Sequence, residues 1–399
     1  MSTYYFQLGN TPALSVLELE LVLRQSVWAD QLKTNPKLVL PEVAQISLDQ
    51  ELDQDDLTKL QTDLGGTVKV LEEVAVLHTQ DQAEIESRII TYLAQADKRI
   101  QFSLTAIGDH PLPKLDEAVI KKELSALGVK SRYRPAPSDG LSAAVLLNHD
   151  VSELYLIKTD RYLVLAKTQA VQNIDDWTRR DREKPYANRK KGMLPPKVAR
   201  MMVNIALGFL AQDPLYQSKI PAEITVYDPF CGTGTILMEA VMKGVQAQGT
   251  DLDDEAVSGA TANLSWLAET YQLKADFSVT QRNVGQDFPA NTPRWAEAIV
   301  TEPFLGKPTP QETELPNIFR GLHNMYLGAF KNWTKILQPN AVVVIILPRV
   351  ETERHQFTLH KLIDKLAPLG YTTISEPVNY HRPQAIVERE IHFLRYQPK

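Results

Sequence analysis

The sequence has one cysteine in 399 residues, which excludes an internal disulfide and any zinc cluster built on several cysteines. Its eight histidines form no H-x-x-x-H or H-E-x-x-H arrangement, so we predict no metal site. No stretch approaches the roughly 18 apolar residues of a membrane-spanning helix. The opening MSTYYFQLGN lacks the basic and then apolar order of a secretory signal. We therefore expect a cytoplasmic protein with no membrane association.

The chain also lacks the basic excess of a protein that binds nucleic acid over its whole surface, because its net charge is −6. The charges are unevenly distributed, however. Residues 178–191, TRRDREKPYANRKK, are strongly basic, whereas residues 41–87 are acidic. A basic run of this kind is either a solvated connector or a segment that contacts phosphates, and both interpretations stay open.

What the sequence does contain is the composition of a globular protein long enough for two or three domains. The N-terminal part reads as mixed α+β, with strands predicted at 39–46 and 143–147 among others. Residues 176–193 lose this periodicity and are predicted to be a connector. Beyond them strands and helices alternate, and seven strands are predicted, which favours a doubly wound parallel sheet.

Residues 226–240 read VYDPFCGTGTILMEA, which predicts a buried strand, a turn with two glycines and the start of a helix. Gly232 and Gly234 allow a sharp turn and a close approach to a ligand. The next strand ends in Asp251, where an acid can hold a ribose diol. No lysine follows Gly234, and Leu237 replaces the third glycine of a dinucleotide fold, so phosphate loops and dinucleotides fit poorly. S-adenosylmethionine fits, and a tight turn without a ligand is the alternative.

Several segments together resemble the tRNA guanine-N2 methyltransferases that carry a THUMP domain. They are DPFCGTGTILMEA (228–240), GMLPPKVARMMVNIA (192–206), LGGTVKV (64–70), RRDREKPYANRKKGMLPPK (179–197) and RPQAIVEREI (382–391). The resemblance spans nearly the whole chain. It implies an N-terminal half that grips tRNA and a C-terminal half that transfers the methyl group of S-adenosylmethionine to the exocyclic amine of a guanosine, typically at position 10.

The predicted fold class is therefore α/β: a C-terminal doubly wound, Rossmann-like methyltransferase sheet of seven strands, preceded by an α+β, THUMP-like RNA-binding region. The predicted domains are an N-terminal α+β (ferredoxin-like) segment at 1–82, a THUMP-like RNA-binding domain at 83–175, a basic connector at 176–194 and a class I methyltransferase domain at 195–399.

The resemblance also implies which residues bind S-adenosylmethionine. Asp228 and the glycine turn would surround its methionine end, Asp251 would take the ribose hydroxyls, and Leu252 could pack on the adenine. Asn283 stands where the family usually has an acid that faces the adenine amine. The full predicted set is Asp228, Phe230, Gly232, Thr233, Gly234, Asp251, Leu252, Asn283 and Val284.

The turn after the fourth predicted strand reads VTEPFLG and departs from the family's D-P-P-Y-G. In our alignment Glu302 takes the place of the acid, Pro303 and Phe304 those of the prolines, and Leu305 that of the tyrosine. A second frame puts Thr301 at the acid. An acid oxygen and a backbone carbonyl can hold the two hydrogens of a guanine amine while its nitrogen attacks the methyl group. We predict Glu302, Pro303 and Phe304 as the catalytic residues.

Basic residues in two places are predicted to contact RNA, although an exposed amphipathic strand would have the same pattern. They are Lys121, Lys130, Arg132 and Arg134 in the second segment, and Arg179, Arg180, Arg182, Lys190 and Lys191 in the connector. The expected partner is tRNA, bound by a monomer or weak oligomer, and some members of the family act with a small activating subunit. Two alternatives remain: an RNA-binding protein that keeps the cofactor pocket without activity, and an amino-methyltransferase for DNA adenine or a protein amide.

Overall fold

The computed structural model describes residues 1–96, 99–108, 114–159, 161–187, 193–289, 291–381 and 385–398. The chain divides into two compact units, Met1–Asp175 and Asp176–Lys399. In the part of the chain that the structure describes, no helix is both long and apolar enough to cross a membrane. The unit boundary falls where the connector is predicted to begin, and the finer domain limits stay predictions.

The first unit is a mixed α/β fold built on one sheet. Its strands are β1 (Ser2–Leu8), β2 (Leu32–Leu40), β3 (Val43–Leu48), β4 (Thr67–Leu77), β5 (Arg99–Ile107), β6 (Lys130–Tyr133), β7 (Ser152–Lys158) and β8 (Leu163–Val171). Its helices are α1 (Pro12–Gln25), α2 (Gln54–Asp63), α3 (Gln82–Leu93), α4 (Glu117–Ala126) and α5 (Ala143–Asn148). The strand order is β2-β3-β1-β4-β8-β7-β5-β6. The pairs β5–β6 and β5–β7 are parallel, so β6 is an edge strand joined to the sheet by parallel pairing.

The sheet of the first unit joins the two segments predicted at 1–82 and 83–175, because β4 pairs with β8. A buried ion pair accompanies this pairing: the Lys69 ammonium on β4 lies 2.9 Å from the Glu153 carboxylate on β7. The same ammonium donates to the Tyr155 hydroxyl at 2.7 Å. Burying two charges is costly unless their remaining hydrogen-bonding capacity is used, and Glu153 also accepts from the Thr168 hydroxyl. The two segments therefore share one polar core.

Two secondary-structure predictions in the first unit are wrong. Residues 143–147 form helix α5, because the Ser142 side chain caps the backbone N–H of Val145 and the short apolar run suits either structure. The strand predicted at 39–46 is two antiparallel strands, β2 and β3, with a turn at Pro41 and Glu42 between them. Proline cannot donate to a ladder, so the chain reverses there.

The second unit begins within α6 (Ile174–Thr178), which continues as a π-helical turn over Arg179–Glu183. Its strands are β9 (Thr225–Asp228), β10 (Gln246–Asp251), β11 (Phe277–Gln281), β12 (Ala296–Thr301), β13 (Leu337–Glu351), β14 (Gln356–Phe357), β15 (Tyr371–Tyr380) and β16 (Glu388–Tyr396). Its further helices are α7 (Pro196–Ala211), α8 (Thr235–Met242), α9 (Asp254–Tyr271), α10 (Leu315–Trp333) and α11 (His360–Asp364). The prediction that residues 176–193 are an irregular connector is therefore wrong up to Glu183, because side chains of this segment are buried against α8.

The main sheet of the second unit has the order β11-β10-β9-β12-β13-β16-β15, and β14 pairs with β13 alone. Strands β9 to β13 of this path run parallel, whereas β16 is antiparallel to both β13 and β15. Residues 342–347 of β13 are all buried, as expected of a central strand covered on both faces. The predicted seven-stranded Rossmann-like sheet is confirmed. From β9 the sheet is extended on one side by β10 and β11 and on the other side by β12 and β13, so the strand order reverses between β9 and β12. Ligands bind at such a reversal in open α/β sheets.

Candidate cofactor and substrate site

The turn after β9 has the backbone geometry that its glycines allow. Gly232 and Gly234 have φ angles of 50° and 78°, in the left-handed region that favours glycine. The Gly234 N–H donates to the Cys231 carbonyl at 2.7 Å and closes the turn. A Cβ at residue 234 would lie 3.1 Å from the Cβ of Ala260, so α9 approaches closely here. The turn is thus a tight cradle at the carboxyl edge of the sheet.

Asp251, at the end of β10, holds this turn from the neighbouring strand. Its Oδ2 accepts a hydrogen bond from the Gly232 N–H at 2.9 Å, and its Oδ1 accepts from the Asp253 N–H at 3.0 Å. The carboxylate has further lone pairs for a ligand hydroxyl, since two oxygens offer about four acceptor sites. Leu252, which follows it, is 66% exposed and presents an apolar surface beside the turn.

Asp228, the last residue of β9, is buried and is hydrogen-bonded to the neighbouring strand β12, at the point where the strand order reverses. The Thr301 hydroxyl, at the end of β12, donates to Asp228 Oδ1 at 2.6 Å, and the Phe230 N–H donates to the same oxygen at 3.1 Å. Burial raises the pKa of Asp228 to about 7. Thr301 is fully buried, so it orients Asp228 and cannot serve as the exposed acceptor of the second alignment frame.

The residues predicted at the adenine end lie beyond β11. Asn283 is exposed, and its side-chain oxygen accepts from the Gly285 N–H at 2.9 Å, which fixes the turn. The second lone pair of this oxygen can accept a hydrogen bond from a ligand. Val284 and Phe230 are partly buried and pack against the apolar core of the unit. Asn332 of α10 anchors this loop by donating to the Val284 carbonyl at 2.9 Å.

The turn after β12 presents one acid and one aromatic ring. Glu302 Oε1 accepts from Arg389 Nε of β16 at 2.6 Å, while Pro303 is buried. Phe304 is 64% exposed, and its carbonyl accepts from the buried Tyr326 hydroxyl at 2.6 Å. Sequence reasoning missed Arg389 as a site residue, although it lies inside the closing segment RPQAIVEREI. The exposed aromatic ring is at 304, in the place aligned with a proline.

A groove of about 590 Å³ lies beside Phe304, between this turn and α10. Its lining is mixed: apolar side chains from α10 and polar groups from the start of that helix. It is lined by Phe304, Gly306, Lys307, Thr313, Glu314, Asn317, Ile318, Gly321, Leu322 and Met325. The groove is large enough for a planar ring system next to the exposed phenyl face.

A buried lysine stands behind the glycine turn. Lys184 Nζ donates to the Thr235 hydroxyl at 3.0 Å, and that hydroxyl lies 3.3 Å from the hydroxyl of Thr233. Because an ammonium only donates, Thr235 accepts from Lys184 and has its own proton for Thr233. Thr233 can then direct its proton outwards to an acceptor. Burial lowers the pKa of Lys184. Sequence reasoning missed Lys184, which belongs to the connector motif.

The prediction that Arg180 contacts RNA is corrected by its burial. Its side chain is 3% exposed, lies 2.8 Å from Asp176 and 3.0 Å from the fully buried Glu239, and stacks on Trp177. Arg200 of α7 bonds the other oxygen of Glu239 at 2.8 Å. This ion cluster fastens the connector to α8, the helix that follows the glycine turn, which explains why the segment is helical.

The other basic residues of the predicted RNA surface divide between the two units. Arg179 and Arg182 keep exposed side chains, and Lys190 and Lys191 lie outside the described residues. In the first unit Lys121 on α4 and Lys130 and Arg132 on β6 are exposed. Arg134 is half-buried and donates to Gln101 at 2.8 Å. Lys130 and Arg132 are two apart on an edge strand, so they project from one face.

Comparison with known proteins agrees with this geometry. Residues 188–343 match the UPF0020 family model, described as an RMKL-like methyltransferase domain. A tRNA (guanine(10)-N2)-dimethyltransferase of Pyrococcus abyssi is 31% identical over 135 residues, which are 33% of this chain and 35% of that protein. The similarity to this relative therefore spans about a third of its length.

Solved structures resemble the chain over almost its full length. TrmN from Thermus thermophilus superposes with a TM-score of 0.55 at 14% identity, covering 99% of this chain and 100% of that one. SMU.472, solved as a complex with SAH, gives a TM-score of 0.53 at 11% identity, covering 100% of this chain and 99% of that one. At these identities the likeness establishes the shared fold.

Proposed function

We propose that this chain, whose residues 188–343 match the RMKL-like methyltransferase domain, transfers the methyl group of S-adenosylmethionine to the exocyclic N2 amine of a guanosine in tRNA. One observation carries the proposal. The hydrogen bond between Thr301 and Asp228 joins the ends of β12 and β9, so the glycine turn and the Glu302 turn open at the same edge of the sheet. The proposed site of the methyl donor, at the glycine turn, is therefore adjacent to the proposed site of the methyl acceptor, at the Glu302 turn.

The residues of the glycine turn fit S-adenosylmethionine. The left-handed glycines 232 and 234 keep side chains out of the cradle, and the half-exposed Asp251 carboxylate has acceptor capacity for a ribose diol. Thr233, polarised by Thr235 and Lys184, would donate to a carboxylate at the methionine end. The cofactor, when bound, supplies a methyl group on a sulfonium, which is already activated and needs no metal.

Glu302 and Phe304 would hold the guanine. A guanine N2 is a weak nucleophile, and an acceptor that holds its hydrogens can supply several kcal/mol by positioning. The Arg389 bond uses part of the acceptor capacity of Glu302 and fixes the direction of its carboxylate. The exposed Phe304 ring offers a stacking face worth about 1–3 kcal/mol per base. This replaces the stacking role of the family's tyrosine.

The choice of tRNA, and of its position 10, rests on the name of the Pyrococcus relative and on the basic residues described above. Lys121, Lys130 and Arg132 of the first unit would contact phosphates without reading sequence. We propose that the chain acts in the cytoplasm on tRNA. We infer a monomer or weak oligomer.

A second candidate function is supported by the Arg389–Glu302 pair itself. The Arg389 guanidinium donates at 2.6 Å to Glu302, the acid that the reaction would use. Glu302 is also one methylene longer than the Asp of the family motif. An error of about 1 Å in position can cost a hundredfold in rate. A protein that binds cofactor and tRNA without turnover is the expected result if Arg389 keeps Glu302 from the amine.

The test is a methyl-transfer assay with an unmodified tRNA transcript and S-adenosylmethionine labelled in the methyl group, followed by nucleoside mass analysis. We expect N2-methylguanosine or its dimethyl form from the wild-type chain. A transcript with inosine at position 10 lacks the exocyclic amine there and should accept no label at that site. Label appearing equally in the inosine transcript would contradict the proposed position.

Variants of the chain separate the two candidate functions. Glu302→Ala should lower the rate at least a hundredfold while cofactor binding measured by calorimetry is retained. Glu269→Ala, an exposed acid on α9, is the matched control and should keep full activity. Cofactor binding without transfer to any RNA, in the wild type as well, would favour the second candidate. Transfer to DNA or to a protein amide would overturn the choice of substrate.

A further inference from the structure

Three metal-ligating side chains that play no part in the proposed reaction meet in the second unit. His360 Nε2, at the start of α11, lies 2.9 Å from Glu390 Oε2, and His392 Nε2 lies 2.7 Å from the same oxygen. All three ligand atoms lie within 4.8 Å of one another. The cluster brings together one residue from a helix and two from a strand.

The cluster is separate from the candidate site described above. Glu390 and His392 are two apart on β16 and project from the same face of the strand, whereas Arg389, which directly precedes Glu390, projects from the other face, towards Glu302. A ligand held by the cluster would therefore lie on the opposite side of β16 from the proposed acceptor site.

Burial and access suit a bound cation. The side chains of Glu390 and His392 are 7% and 5% exposed, whereas that of His360 is 56% exposed and provides a route from solvent. A buried carboxyl oxygen thus faces two imidazole nitrogens.

The donor set indicates which cation fits. Two imidazole nitrogens and one carboxylate oxygen suit zinc, with bonds of about 2.0–2.2 Å and a water at the fourth position. Magnesium and calcium prefer sites made of oxygen atoms alone. Tetrahedral bonds of this length separate neighbouring ligand atoms by about 3.3 Å. Each nitrogen would thus move about half an ångström away from Glu390 Oε2, and the two imidazole nitrogens, which lie within 4.8 Å of each other, would also take a separation of about 3.3 Å.

We propose that His360, Glu390 and His392 bind Zn²⁺ as a site that ties α11 to β16. Binding replaces the two Nε2–H···O hydrogen bonds, and each imidazole carries its remaining proton on Nδ1. Sequence spacing alone does not predict this site, because His360 is 30 residues from Glu390 and the two ligands on β16 are spaced as E-x-H. Only the packing of α11 on the sheet brings them together.

The experiment uses the untagged full chain after treatment with a chelator. Calorimetric titration with Zn²⁺ should give one site per chain with a micromolar or tighter dissociation constant, and Co²⁺ should give the visible absorption bands of tetrahedral coordination. Zinc should also raise the melting temperature. Absence of saturable zinc binding in the micromolar range, or octahedral cobalt bands only, would overturn the proposal.

Variants assign the binding to these ligands. His360→Ala removes an exposed ligand and should leave the fold intact while weakening zinc binding by at least about tenfold. Glu390→Gln should abolish the zinc-induced rise in melting temperature. His355→Ala, an exposed histidine outside the cluster, is the matched control and should bind zinc like the wild type. Unchanged zinc affinity in His360→Ala would place the ion elsewhere and refute the site.

Discussion

Replacing Asp228 by Asn should remove a loss of stability that the wild-type chain suffers as pH rises. The carboxyl is buried, and its pKa is raised from an ordinary 3.8 to about 7. In the folded chain it is neutral below pH 7, whereas in the unfolded chain it ionises above about pH 4. A raised folded-state pKa means that its contribution to stability is complete below the unfolded pKa and is lost as pH rises through the folded one.

The pKa difference sets the size of the effect. A shift of about three units corresponds to a total loss on the order of 4 kcal/mol, at 1.36 kcal/mol per unit. Between about pH 5.5 and pH 8.5 the loss is about 2 kcal/mol. For a unit of this size this corresponds to about 4–8 °C in melting temperature. Asn keeps the Oδ1 atom that accepts from Thr301 and from the Phe230 N–H, so it removes the titration without removing these bonds.

The assay is thermal unfolding of wild type and Asp228→Asn across this pH range. We expect the wild type to lose about 4–8 °C more than the variant between the two ends. Asp254→Asn, an exposed acid in the first turn of α9, is the control and should follow the wild type. If wild type and Asp228→Asn keep a constant difference at every pH, Asp228 is ionised in the folded chain and the reasoning fails.

Two further predictions concern ligands. Lys184→Met should weaken the binding of S-adenosylhomocysteine about tenfold in calorimetry, because a charge-assisted hydrogen bond contributes about 1.5 kcal/mol. The binding of 5′-methylthioadenosine, which lacks the amino-acid carboxylate, should be unchanged. Equal weakening of both ligands would mean that Lys184 acts only on folding. Arg132→Glu should weaken tRNA binding in filter assays and lower the slope of log affinity against log salt by about one, whereas Arg88→Glu, an exposed control on α3, should not. An unchanged slope in Arg132→Glu would remove β6 from the RNA surface.

The elements themselves were largely predictable from local sequence. The glycine turn, its flanking strand and the helix after it follow from residues 226–240, because periodicity and glycine act within a few neighbours. The errors lie where local patterns are ambiguous. The apolar run at 143–147 suits both strand and helix. The charged segment at 174–183 becomes helical because Arg180, which stacks on the nearby Trp177, pairs with Glu239, a residue distant in sequence.

The candidate site was predicted in its parts and not in its connections. Asp228, Asp251 and Glu302 were singled out from motifs, but no local pattern pairs Glu302 with Arg389, which is 87 residues away. Nor did it indicate that Thr301 would bond Asp228 across adjacent strands. These contacts depend on the register of β9, β12 and β16, which is set by the whole sheet.

The sequence by itself determined the alternation of strands and helices from residue 195 onwards, the backbone turn at Gly232 and Gly234, and the absence of disulfides, since each depends on a residue type and its immediate neighbours. Only the tertiary structure decided which polar groups meet: Lys184 with Thr235, Arg180 with Glu239, and His360 with Glu390. The reason is physical. A buried charge needs a partner, and the fold supplies that partner from whichever element packs against it.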